Sequence, residues 1–298
     1  MITDRLESVL SIGIMAQKAS AYFKLLKFRL SFTVAFSSAI GYILGQPGGS
    51  WIGIALVMLG GLMVTGSANI INQLLEKDLD KLMKRTAGRP LPTGQVSPLE
   101  AAIYCAVLGI GGLLLLGTYF NVLTAAISLV SLILYGFIYT PLKRISPINV
   151  FVGAIPGALP PLIGWVAATG VLSVEAWILF GIQFIWQFPH FWAIAWVLDD
   201  DYKRAGFKML PFEGGKNLKT AVQIMIYTLM LIPLSLLPLQ FGMTGTTSAL
   251  IAVVCGVLFL AQTFHLMRTC TKKAAMNIMF GSFLYLPIVQ IAFVLDKI

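Results

Sequence analysis

Apolar positions in this chain come in long blocks rather than in stripes or alternations. Windows of about twenty almost wholly apolar residues occur nine times, near 28–46, 51–72, 101–119, 122–140, 149–169, 174–197, 220–239, 246–266 and 274–295. A helix rising 1.5 Å per residue crosses the hydrocarbon core in about twenty residues. The pattern therefore predicts an all-α polytopic membrane protein of nine transmembrane helices, forming one membrane-embedded domain over 1–298. The third and fourth blocks nearly merge, and the turn between them falls at 119–121, YFN. Charged residues make up 11% of the 298, less than half of the roughly 25% usual in soluble proteins, so the lipid bilayer is the expected solvent.

The polar positions carry a second pattern. Lys and Arg fall in alternate connections, so that twenty of the twenty-one lie on one side of the predicted membrane, with Lys297 the exception. The positive-inside rule puts that side, with the N-terminus, in the cytoplasm. The expected location is a plasma (inner) membrane. The net charge of +9 is then a consequence of topology; no nucleic-acid motif accompanies it. The N-terminal segment 1–27 lacks the basic-then-apolar order of a signal peptide. Its stretch KASAYFKLLKFR reads either as an amphipathic helix on an anionic membrane surface or as a basic tail that fixes topology. Cys105, Cys255 and Cys270 have no ligand spacing and read as apolar fillers.

Only the cytoplasmic side has loops large enough for chemistry, at 73–100 and 198–219. Both come after spans running the same way, and both begin with acids: Glu76, Asp78 and Asp80, then Asp199, Asp200 and Asp201. Their placement four spans apart suggests two parallel four-span units plus one extra span. On a helix, Thr65, Asn69, Asn72, Glu76 and Asp80 form one polar stripe. Asn72, Glu76 and Asp80 would set oxygen ligands about 6 Å apart along it, hard donors suited to Mg²⁺ held together with a phosphate. Asp78 is out of register and reads as solvated or paired with a base. A second stripe carries Gln183, Gln187 and His190, with Asp201 continuing the face. Bases accompany each cluster: Lys84, Arg85 and Arg89; Lys143 and Arg144; Lys203 and Arg204. Acids and bases around one mouth suit a Mg²⁺–diphosphate, the bases neutralising it as it leaves. Charged loop residues are more often simply solvated. The stripe is harder to dismiss, because polar groups at a span's edge are costly to keep.

The stretch NQLLEKDLD, residues 72–80, resembles the N-x-x-x-[DE]-x-x-x-D signature of UbiA-type intramembrane prenyltransferases. MKRTAGRPLPTG, YTPLKRISPINVFVGAIPGALPPLIGW and QFIWQFPHFWAIAWVLDDDYKRAGFKMLP are similar to the haem-directed farnesyltransferase branch, the protohaem IX farnesyltransferases, from about residue 25 to the last span. The resemblance implies a nine-span helical fold and transfer of farnesyl from farnesyl diphosphate to the C2 vinyl group of haem b. Water is added, and haem O and diphosphate are released. It implies Mg²⁺ as cofactor, haem b as substrate, and haem A synthase or terminal oxidase assembly factors as partners. One departure stands out. Many relatives carry D-x-x-x-D in the second loop, whereas here the acids are consecutive and Tyr202 takes the later position.

With that resemblance, Asn72, Glu76 and Asp80 are expected to hold Mg²⁺–diphosphate, and Asp200 and Asp201 to make a second metal or diphosphate contact. Arg85, Arg89, Lys143, Arg144 and Lys203 contact diphosphate, and Tyr139 at the head of the second segment joins the substrate set. Trp186, Phe191 and Trp192 present π faces to a macrocycle or an allylic cation. His190, after Pro189, touches haem as iron ligand, propionate partner or proton mediator, though a lone span histidine is most often a packing residue. The rival readings are a prenyltransferase acting on a quinone precursor or another aromatic acceptor, and a secondary transporter with two repeats.

Overall fold

The computed structural model describes residues 15–46, 48, 50–212 and 215–298. Among them nine helices are long and apolar enough to cross a membrane. They are α1 (Phe28–Gly45), α2 (Trp51–Asp80), α3 (Pro98–Tyr119), α4 (Val122–Leu142), α5 (Asn149–Thr169), α6 (Val174–Val197), α7 (Leu218–Gln240), α8 (Thr246–Thr269) and α9 (Lys272–Leu295). No strand occurs among the described residues, only an isolated bridge between Thr244 and Lys297. Eight helices end within a few residues of their apolar block. The exception is α2, which runs on to Asp80 because 73–80 contain only good or tolerable helix formers and no Gly or Pro. The acidic stripe therefore sits on the same rod as the second span.

Caps explain the starts. Ser97 and Glu100 form a reciprocal capping box on α3, with Pro98 in its first turn. Asn121 splits the merged third and fourth blocks: its Oδ1 accepts from Thr124 N at 2.8 Å and opens a new helix. Near its other end α4 loosens into a π-helical stretch, Leu134–Tyr139, before Thr140–Leu142. Pro141 has no N–H to give, and Thr140 Oγ1 donates to the Tyr135 carbonyl at 2.9 Å. The wider turn rotates the last residues of α4 about the helix axis.

Each helix packs against the next, α1 also packs along α5, and α9 turns back onto α6 and, less extensively, α1. With α2–α5 and α6–α9 as the two four-span units and α1 as the extra span, the units share this succession but close differently: α9 packs on α6, whereas α5 packs on α1 and barely touches α2. The seam between α1 and α5 is close. A Cβ on Gly41 would lie 1.9 Å from the Pro161 carbonyl oxygen, and one on Gly164 would lie 1.8 Å from that of Ser38. Pro160 and Pro161 inside α5 strand the carbonyls four residues earlier, Pro156 and Gly157. Neighbouring helices satisfy both: Ser131 Oγ donates to Pro156 O at 3.3 Å and Gln183 Nε2 to Gly157 O at 2.8 Å.

Residues 15–25 are helical and docked. Ala21 and Leu25 are buried with residues of α2 and α3, Tyr22 meets Tyr104 edge-on, and Lys18 pairs with Glu100. Phe23, Lys24 and Phe28 face outward. Ala21 and Leu25 thus face protein, while Phe23 and Phe28 stack on each other as an exposed apolar face. The remainder of segment 1–27, residues 1–14, lies outside the described residues.

Candidate active site

Asn72, Glu76 and Asp80 occupy one face of α2 and are buried, with 2%, 4% and 0% of their surface exposed. Asp78, out of register, points outward and pairs with Lys81. Lys143, delivered by the rotated end of α4, donates to both Glu76 oxygens at 2.9 and 3.2 Å. Its Nζ lies 4.7 Å from the centroid of the Tyr139 ring. Asn72 Nδ2 donates to Glu76 Oε2 at 2.8 Å and to Thr140 Oγ1 at 3.2 Å. Arg89, on the loop after α2, donates to Asp80 Oδ2 at 2.7 Å. Asp80 Oδ1 is buried and has no hydrogen-bond partner among the described residues. Arg85 and Arg144 have exposed side chains.

One member was not assigned from the sequence. Lys27 Nζ donates to Asn72 Oδ1 at 3.0 Å. Its backbone is left-handed, φ 48°, a conformation a lysine adopts only under external constraint. The constraints come mostly from α2: Gln73 Nε2 holds the Leu25 carbonyl at 2.7 Å, while Ser31 Oγ holds that of Leu26 at 2.7 Å and Asn69 Nδ2 reaches it at 3.4 Å. Burial, then the charges of Arg89 and Lys143, push the Lys27 amine well below its ordinary value, against the pull of Glu76 and Asp80. Lys27, Arg89 and Lys143 thus crowd two carboxylates, three basic groups against two acids. In the sequence Lys27 was one basic residue among several before a span.

The second acidic loop packs against the first site. Lys208 N donates to the Lys143 carbonyl at 2.7 Å, and Asn149 Nδ2 holds the Lys208 carbonyl at 2.6 Å. The three acids begin a short helix, Asp199–Arg204, where successive residues point about 100° apart. Asp199 is the buried one, paired with Lys203 at 2.8 Å and Lys216 at 3.3 Å. Asp201 is largely covered and pairs with Arg204 at 3.0 Å. The Asp200 side chain is 73% exposed and lies 3.4 Å from Lys216. The sequence singled out Asp200 and Asp201 but gave Asp199 no role.

On α6, His190 and Trp186 stack with centroids 4.5 Å apart, and Phe191 lies beside the histidine ring at 5.6 Å. Gln183 and Gln187 turn toward α5, where their amides reach Gly157 O and Ala154 O. Trp192 is placed elsewhere, in the core against Phe188 and Tyr227.

Residues 34–286 match the model of the UbiA prenyltransferase family. The chain belongs to the UbiA prenyltransferase family. Among curated members, a protoheme IX farnesyltransferase of Cytophaga hutchinsonii is 58% identical over 285 residues, covering 95% of this chain and all of that one. A protoheme IX farnesyltransferase of Christiangramia forsetii is 44% identical over 93% of each chain. The fold recurs in a solved digeranylgeranylglyceryl phosphate synthase, with TM-score 0.77 and 23% identity over 94% of this chain and 98% of that one. It recurs too in an Archaeoglobus fulgidus UbiA homologue solved with GPP and Mg²⁺, with TM-score 0.65 and 18% identity over 92% and 99%.

Proposed function

We propose that this member of the family transfers the farnesyl group of farnesyl diphosphate to the C2 vinyl group of haem b. Water adds, diphosphate leaves, and haem O is the product. The observation that carries the reading is the 58% identity, over nearly the whole chain, to a relative named for this activity. The site's chemistry supports it from the other direction. Three buried or half-buried basic groups against two carboxylates make a cradle that an anion completes, and a diphosphate is such an anion.

Asn72, Glu76 and Asp80 form the face toward Mg²⁺–diphosphate. No three His, Cys, Asp or Glu side chains gather into a metal site among the described residues. The donors fit Mg²⁺, which usually takes one or two carboxylates and completes its shell with water and substrate phosphate. The free Asp80 Oδ1 is the oxygen available to it. When bound, the ion offsets charge on the departing diphosphate. Lys143, Arg89 and Lys27 neutralise the remainder and orient it, with Arg85 and Arg144 at the rim. Asp201, the more covered of the two predicted acids, makes the second contact. Haem lies against Trp186, His190 and Phe191. The site faces the cytoplasm of a plasma membrane, on the positive-inside argument.

Membranes containing the protein, given haem b and farnesyl diphosphate, are expected to yield haem O and diphosphate in equal amounts. A farnesylated quinone precursor with unchanged haem would overturn the reading.

A further inference from the structure

His190 has a fixed proton. Its Nδ1 lies 2.8 Å from Ser282 Oγ on α9, a distance that alone leaves donor and acceptor undecided. The same Oγ lies 2.6 Å from the Met279 carbonyl oxygen. A carbonyl only accepts, so at that separation the serine hydrogen is committed to it. Ser282 has no second hydrogen, and Nδ1 must supply the other. The chain runs one way, from Nδ1–H to Ser282 Oγ–H to Met279 O. The imidazole is therefore the Nδ1–H tautomer, and its Nε2 keeps a bare lone pair. Nε2 has no hydrogen-bond partner among the described residues.

Ser282 also fixes the neighbouring ring. Its carbonyl accepts from Trp186 Nε1 at 3.0 Å, and Trp186 stacks on His190 within 18° of parallel. One residue of α9 thus holds both rings in register through different atoms.

We propose that Ser282 is a positioning residue that presents His190 Nε2 as an axial ligand to the iron of the haem substrate; the inference rests on the haem reading above. Iron-ligating histidines donate their other ring N–H to an outer acceptor that fixes tautomer and orientation, and the Ser282–Met279 pair is such an acceptor. A bare Nε2 cannot donate to a propionate. Accepting a proton there would place an imidazolium among Trp186, Phe191 and Phe283 with no carboxylate of the described residues beside it, a costly charge in apolar surroundings. Donation of the lone pair to iron leaves the ring neutral and moves no proton.

The test is resonance Raman and optical titration of the full-length, detergent-solubilised protein with ferrous haem b. The unaltered protein should show an Fe–histidine stretch. Ser282→Ala should move that stretch to lower frequency and weaken haem binding about tenfold, Ser282→Thr should restore both, and His190→Gln should abolish the band. An unshifted band and unchanged affinity in Ser282→Ala would remove the positioning role. An Fe–histidine band that persists in His190→Gln would overturn this inference while leaving the haem reading intact. Failure of the unaltered protein to bind haem, with farnesylation of another acceptor, would overturn both.

Discussion

Lys143 Nζ sits 2.9 Å from Glu76 Oε1, and both side chains are nearly sealed from solvent. The pair joins the end of α4 to the acidic face of α2. Each charge depends on the other, because an unpaired buried charge costs far more than the pair gains. Lys143→Met should therefore destabilise the protein by about 3 kcal/mol, and adding Glu76→Gln should recover most of that. Thermal unfolding in detergent measures the recovery. Turnover should not return in the double variant.

Glu76→Gln and Asp80→Asn singly should each lower diphosphate release by about 10²-fold or more, beyond the stability that Glu76→Gln loses by leaving Lys143 unpaired. The readout is diphosphate release alongside a folding check on the same preparation. Full activity in both variants would remove the acidic face from the chemistry.

Lys27 separates backbone from side chain. Lys27→Gly relieves the left-handed strain and should hold or raise stability by up to about 1 kcal/mol. Lys27→Ala keeps the strain. Both remove the ammonium and should raise KM for farnesyl diphosphate about tenfold, one lost charge-assisted hydrogen bond. A KM that tracks stability instead of charge would assign Lys27 to folding alone.

Asp200 and Asp201 should differ. With its side chain 73% exposed, Asp200 should tolerate Asn with less than a twofold change in turnover, as a screened surface charge. Asp201→Asn should cost about tenfold or more, one lost contact of a charged group. Steady-state rates of the two variants decide between them.

Gln183 satisfies two partners at once: it donates to Gly157 O at 2.8 Å and accepts from Gln290 Nε2 at 2.9 Å. Gln183→Leu strands both and should cost about 2 kcal/mol, more than the roughly 0.6 kcal/mol averaged by single interhelical bonds in a membrane. Unfolding midpoints in detergent test it.

Much of this was legible in the sequence because lipid imposes blunt rules. The nine spans come directly from length and apolarity. The alignment of Asn72, Glu76 and Asp80 comes from the helical period alone, since α2 continues unbroken. What escaped depends on the third dimension. Nothing in the residue type announces that Lys27 is left-handed, because the constraint comes from Gln73, Asn69 and Ser31. Three consecutive aspartates on a helical turn face three directions, and only the folded chain shows that Asp199 is the buried one, paired with Lys203 and Lys216. Ser282 is one serine in an apolar span until α6 lies beside it. The register of Lys143 depends on a π turn that TP at 140–141 hints at but does not specify.

The glycine seam bears on how the protein is made. Spans enter the bilayer in order from the ribosome, yet α1 finds its closest backbone neighbour in α5. Until α5 is inserted, the Gly41 face of α1 has only lipid or passing helices against it. Closing the seam expels that lipid and joins the earliest span to one made much later, a non-local pairing that is slow to form. Any side chain larger than hydrogen at Gly41 or Gly164 thus acts on biogenesis, leaving a chain whose spans are all inserted but whose first helix has nowhere to dock.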